Sequence, residues 1–328
     1  MTQTFLSTSN PKLLLVISRA LAALRPALIA FLVTNATRLS GGMESPISFC
    51  NVLFVGNLCA AFAVMVWFGL PAIVREIRTH PPKLILGLFL NGCLAALLSS
   101  LIFTGLQDTS VTNAVLIGRL GPVIYALVGT LLLGRRLRAA EWLGFGLIIA
   151  GIAAIVLKTS EFQINRGDLL ILGSAFVYAT SSLLGKVMLT GSTSLSTVVF
   201  SRNFVSAVVF FIVVSVLFEP VHFIEVFSGQ LWIVMSIYAL VIIVLAQFLW
   251  YAALEKLDSK TVGKWTVLSP VFGVLFAFLL NGERPSLTQA IAFVVIMTGI
   301  CITNFGRQVT PVVPKEMAGG AESCASAS

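Results

Sequence analysis

Between Asp108 and Arg135 the sequence holds a single charged residue, Arg119. If that run crosses a membrane, an ionised side chain in it costs several kcal/mol unless water, a counter-ion or polar backbone receives it. Two chemistries are open to it. The planar guanidinium fork suits a carboxylate or phosphate, which it grips through paired hydrogen bonds. Alternatively its donors satisfy backbone carbonyls and the residue is structural. Polar side chains at comparable depth are Asn91, Asn113 and Tyr178, each able to contact a ligand or to join two helices. Gln247, Trp250 and Tyr251 follow i, i+3, i+4 spacing and therefore share one helix face, which suits either the wall of a small-molecule site or core packing.

The elements that position these residues follow from composition. Of 328 residues, 58% are apolar and 10% charged, and the mean hydropathy is +1.00. A soluble domain carries about a quarter charged residues, so an anchored soluble enzyme is excluded and a polytopic membrane protein remains. Charge-free windows long enough to cross a bilayer number ten. Nine lie within 47–70, 84–104, 111–133, 142–157, 168–186, 196–218, 231–252, 262–281 and 286–305. The first falls within 13–37, where Arg19 and Arg25 interrupt the apolar run. We place it at about 22–37 with Arg25 snorkelling to the interface. The expected fold is all-α and integral to the membrane, with residues 1–12 and the small, polar tail 306–328 outside the lipid.

Even parity puts both termini on one side, and the basic residues choose it. With both ends in the cytoplasm, fifteen of the 21 lysines and arginines fall on the cytoplasmic side and four, Arg38, Lys158, Arg166 and Arg284, opposite. This clustering at span ends also argues against nucleic acid as the partner of a +8 chain. The cysteines have no CxxC spacing, and His80 and His222 have no second ligand nearby, so neither a metal nor a disulfide is expected.

Residues 105–152 align with 253–300 at a constant offset of 148. Pro122-Val123 meets Pro270-Val271, Gly134 meets Gly282, Arg136 meets Arg284, and Gly151-Ile152 meets Gly299-Ile300. Each unit, 13–158 and 167–305, holds five spans. An odd number makes the second unit enter the membrane from the opposite side, giving inverted-topology repeats. Such halves recur in carriers that expose a central site alternately to each side, and they also occur in channels. Pro122 and Pro270 loosen backbone hydrogen bonds at matching positions of the two halves, which points to the pseudo-symmetric centre or to a packing kink. Lys186 and Lys264 read as positive-inside anchors. Since the offset sets Arg38 over Lys186, basic residues at opposite mouths could also form gates. Arg202, near the cytoplasmic end of the seventh span, reads as structural or gating.

The repeated order of a polar turn, a span with a mid-helix Pro, a Gly-centred loop and a Gly-rich span resembles the EamA-type drug/metabolite transporters. The fit is best over ALEKLDSKTVGKWTVLSPVFGVLFAFLLNGERPSLTQAIAFVVIMTGICI, with Pro270 and the Gly282-Glu283 turn. In the first half Arg135 replaces the acid of that turn, and Arg119 stands where the family has a small or apolar residue. The resemblance implies a ten-helix carrier of the inner membrane, without a cofactor and not an enzyme. Its cavity would be lined mainly by spans three, four, eight and nine, and a homodimer is not required. The cargo expected from Arg119 is an amino acid or other organic anion or zwitterion, moved outward or by exchange. A cationic, multidrug cargo is the competitor, and a channel a more distant one. Absence of an intramembrane carboxylate argues for facilitated diffusion or exchange over proton coupling. Glu283 reads as a helix cap or a partner of Arg284.

Overall fold

A computed structural model describes residues 10–35, 49–133, 137–158, 165–190, 193–217, 229–246, 249, 253, 257, 265 and 267–305. All regular structure among them is helical. The helices are α1 (Pro11–Thr34), α2 (Phe49–Phe68), α3 (Leu70–Thr79), α4 (Pro82–Asp108), α5 (Val111–Ile117), α6 (Leu120–Leu133), α7 (Ala139–Lys158) and α8 (Arg166–Thr190). They continue as α9 (Leu195–Leu217), α10 (Gly229–Tyr238, prolonged as a π-helix over Ala239–Leu245), α11 (Ser269–Asn281) and α12 (Leu287–Phe305). Seven segments are long and apolar enough to cross a membrane, and an eighth is the bent pair α2–α3. Two shorter apolar helices cover 229–245 and 269–281. Large side chains such as Phe62, Val216 and Leu287 stand 60%, 75% and 77% exposed, the outward apolar surface that lipid covers.

The first helix departs from the sequence expectation. It begins at Pro11, well before 22, because Arg19 does not end it: the Arg19 Nη2 donates to Ser18 Oγ at 3.3 Å, and buried Ser18 in turn donates to the Ala246 carbonyl at 2.7 Å. Arg25 does not snorkel either. It hydrogen-bonds the hydroxyl of buried Tyr238 on α10.

The fourth span is two helices. Its Asn113 amide is capped by Ser110 Oγ at 3.1 Å, and α5 then closes at Gly118 and Arg119 before α6 starts at Leu120. Pro122 is therefore the third residue of a new helix, where a missing N–H costs no helical bond, and not a mid-helix kink. Pro270 sits in the same way, second in α11 after a turn at Val267 and Leu268. Both prolines start helices behind a break, at the matching positions the offset assigns them.

Two principal cores hold the bundle. One joins α1, α2, α4, α9 and α10 around Ile29, Val55 and Met235; the other joins α5 to α8 and α12 around Leu116, Ile148 and Ile296. The tightest helix contact is α7 on α12. A Cβ on Gly144 would come within 2.7 Å of the Gly299 carbonyl, and one on Gly299 within 2.6 Å of the Gly144 carbonyl. Backbone meets backbone, as small residues permit in membranes. Gly146, by contrast, faces open space. We expect Gly299→Leu to lower the melting temperature in detergent strongly, by several kcal/mol of lost packing, while Gly146→Leu leaves it nearly unchanged.

Candidate functional site

Arg119 occupies the break between α5 and α6, half-buried. Its Nε donates to the Val115 carbonyl one turn earlier at 3.1 Å. That bond orients the side chain; among the described residues both Nη groups, the fork itself, have no hydrogen bond and no carboxylate lies within ion-pair distance. The helix break thus supplies what the sequence could not show, a backbone anchor for the Nε that leaves the outer edge of the guanidinium for something else. Tyr178 of α8 lies within electrostatic reach, its ring packed over Gly121, where a Cβ would come within 2.7 Å. Arg25, bound to Tyr238 where α10 turns π-helical, is a second arginine at membrane depth. Its position at an interrupted apolar run was the available signal, read instead as an interfacial residue.

The remaining expected residues divide. Asn91 is buried and accepts from Ser181 Oγ at 2.7 Å, so it joins α4 to α8. Asn113 lies at the opposite end of α5 from Arg119, and its Oδ1 accepts from Gln289 Nε2 at 2.7 Å. Arg202 is the eighth residue of α9 and half-buried. Arg38, Gln247, Trp250, Tyr251 and Lys264 lie outside the described residues, and of Lys186 only the helical backbone is described.

Around Asn113 the structure assembles a mouth that the sequence reading did not foresee. A cavity of about 550 Å³ is lined by Gln107, Asp108, Thr109, Ser110, Asn113 and Gln289, among others. Behind it, wholly buried Asp168 of α8 accepts from Thr109 Oγ1 at 2.5 Å and from Asn113 Nδ2 at 3.4 Å; its Oδ2 has no hydrogen-bond partner among the described residues. Glu141, in the first turn of α7, is also buried and accepts from the Arg138 amide at 3.1 Å. Carboxylates are therefore buried at the ends of spans, contrary to the expectation that the spans hold none.

Glu283 settles its own alternatives. Gly282, at φ 66°, ends α11 in the left-handed conformation that favours glycine. The turn swings Glu283 onto the start of α5, where its oxygens accept from the Val111 amide at 2.7 Å and from the Thr112 amide and hydroxyl at 2.8 Å each. It caps a helix of the other half of the chain and does not pair with Arg284. An acid at a helix N-terminus satisfies free amides and complements the helix dipole.

A profile of the EamA-like transporter family matches residues 20–157 and again 165–305. The chain belongs to the EamA-like transporter family. It is a multi-pass membrane protein, and its relatives are named as transporters. An uncharacterized transporter of Synechocystis sp. is 29% identical over 271 residues, covering 79% of this chain and 77% of its own. A probable amino-acid metabolite efflux pump of Escherichia coli is 25% identical over 189 residues, covering 55% and 62%. A crystal structure at 19% identity aligns with a TM-score of 0.55 over 88% of this chain and 99% of its own, which shows a shared fold.

A second carboxylate cap lies at the opposite end of the molecule. Glu76 of α3 accepts from the Ser194 amide and hydroxyl at 2.5 and 2.6 Å and from Thr197 Oγ1 at 2.5 Å, at the start of α9, with His80 Nε2 at 3.6 Å. Burial pushes its carboxyl up, but these bonds and His80 outweigh it and hold the group below the ordinary carboxylate value. A depressed value stabilises the fold above the unfolded-chain pKa and loses that stabilisation as pH falls through the folded one. The melting-temperature difference between wild type and Glu76→Gln is thus expected to be constant near neutrality and to shrink below about pH 4.

Proposed function

We propose that the protein is a secondary carrier that moves a small organic anion or zwitterion, such as an amino acid, across the inner membrane by alternating access, as an exporter or exchanger. Ten spans in two inverted five-helix repeats, 13–158 and 167–305, with both termini cytoplasmic, are the architecture this reading uses. The observation that carries it is Arg119: an arginine at a helix break, held by its Nε, with both Nη groups unbonded and no acid beside it among the described residues. A carboxylate would complete that fork. The efflux pump of E. coli, by its name, acts on amino-acid metabolites, which are zwitterions or anions.

One observation favours a cationic cargo instead, since Asp108 is the sole charged side chain among the described residues that line the mouth cavity. The two readings part in a thermal-shift panel of purified protein against anionic, zwitterionic and cationic metabolites, because a ligand that binds the folded state raises its melting temperature. Stabilisation by anions or zwitterions that is absent for cations supports the first reading. Stabilisation by cations alone transfers the site to the mouth. Counterflow in proteoliposomes with the best stabiliser then tests transport, and a channel-like conductance would end the carrier reading.

A further inference from the structure

In the sequence the segment between α2 and α4 is only the interval between the windows 47–70 and 84–104. It is instead a helix set across its neighbour. At Gly69, whose φ of 82° favours glycine, α3 leaves α2 at 95°. Ten residues rise about 15 Å, half of a hydrocarbon core. With α2 taken as the membrane-crossing arm of this bent pair, the 95° bend lays α3 along the membrane surface. Its inner face is apolar: Ile73 is 1% exposed and packs, with Ile77, on Val64 and Val199. Its outer face carries Arg75 and Arg78, one turn apart and exposed, and exposed Lys83 follows in α4. Trp67 and Phe68 stand exposed at the end of α2, as aromatic side chains do at a lipid–water boundary.

Charge on this segment is sorted by face. Glu76, its one acid, is turned toward the start of α9 and spends both oxygens on Ser194 and Thr197. Among the described residues, Arg75, Arg78 and Lys83 make no ion pair. Between α3 and the start of α9 lies a cleft of about 430 Å³, lined by Phe68, Ala72, Arg75, Thr79, Ser194 and Ser196 among others. Its lining offers a guanidinium, hydroxyls, an aromatic ring and a methyl group, and the one carboxylate in it, Glu76, is already taken up by Ser194 and Thr197. That combination fits a phosphodiester with acyl chains attached, and a basic amphipathic helix in the interface attracts anionic lipid.

We propose that α3 and this cleft form a binding site for the headgroup of an anionic phospholipid, with Arg75 taking the phosphate, Arg78 and Lys83 adding charge, and Trp67 and Phe68 flanking the acyl chains. The site does not depend on the identity of the cargo; only its assignment to the cytoplasmic leaflet rests on the orientation given above. A basic loop acting solely as a topology signal retains no particular lipid.

Native mass spectrometry of the full chain, released from detergent with equal amounts of phosphatidylglycerol and phosphatidylcholine, separates these. Wild type is expected to retain phosphatidylglycerol preferentially. The double variant Arg75→Gln/Arg78→Gln should weaken that retention roughly 30-fold, at about a fivefold step per basic residue near an anionic surface. Arg284→Gln, which removes an exposed charge elsewhere, should retain it fully. Arg75→Lys keeps the charge but loses the fork, so partial loss is expected, and it carries the comparison if the double variant does not fold. Equal retention of both lipids overturns the proposal. So does undiminished phosphatidylglycerol on the variants, or its displacement by equimolar inorganic phosphate, which would mark a free-anion site.

Discussion

Arg119→Gln is expected to abolish measurable transport while leaving the empty protein as stable as wild type or more so. Losing one partner of a desolvated, hydrogen-bonded charge pair costs about 2–5 kcal/mol, a loss of at least 30-fold in apparent affinity. The stability of the empty carrier moves the other way. An ionised group at depth is expensive, and here the offsetting contact is one bond from the Nε to the Val115 carbonyl, which a glutamine amide can replace in part. A purely structural arginine gives the opposite pattern, since its removal would lower the melting temperature without cargo and leave the shift on cargo addition intact. Counterflow and melting curves on the same preparations, with Arg119→Lys beside them, decide between the two. Lysine keeps the charge and loses the fork, so cargo bound through paired hydrogen bonds should show most of the glutamine defect with lysine too.

Much of this arrangement was legible in the chain because membranes leave few options. Long apolar windows gave helices, and these agree with α4, α7, α8, α9 and α12 to within a few residues at most ends. What failed failed for local reasons. Arg19 and Arg25 were read as the edge of the first span, since a charge in a hydrophobic window is costly unless a partner is known; Ser18 and Tyr238 are those partners, and Tyr238 lies over two hundred positions away. Pro122 and Pro270 were read as mid-helix prolines, marking the pseudo-symmetric centre or a packing kink, because nothing in the sequence said that helices begin just before them. Asp168 stood at the edge of a window and escaped notice as a buried acid, because its burial depends on Thr109 and Asn113 of another segment. The site shows the same division. Arg119 was visible from its isolation in the sequence, whereas the bond that frees its fork needed the break at Gly118.

Glu283→Ala is expected to be the most disruptive single change at the mouth. It removes the acceptors for the Val111 amide and for the amide and hydroxyl of Thr112, and both residues are buried. Each abandoned buried donor costs about 1–3 kcal/mol, and the start of α5 loses a charge that complements its dipole. A drop of roughly 3–5 kcal/mol in stability follows, with Glu283→Gln falling between because one oxygen remains. Arg284→Gln should be silent, since Arg284 is exposed and without a partner among the described residues. The contact also joins the two halves of the chain next to the mouth cavity, which Ser110 and Ser286 line, so a cysteine placed at Ser286 should react faster with a membrane-impermeant maleimide in Glu283→Gln than in wild type. Unchanged labelling with a lowered melting temperature would make Glu283 a static cap. Faster labelling with counterflow retained would make it a clasp that opens in the transport cycle, and this explains why the acid is reached across the halves: a cap within one half could not report on their separation.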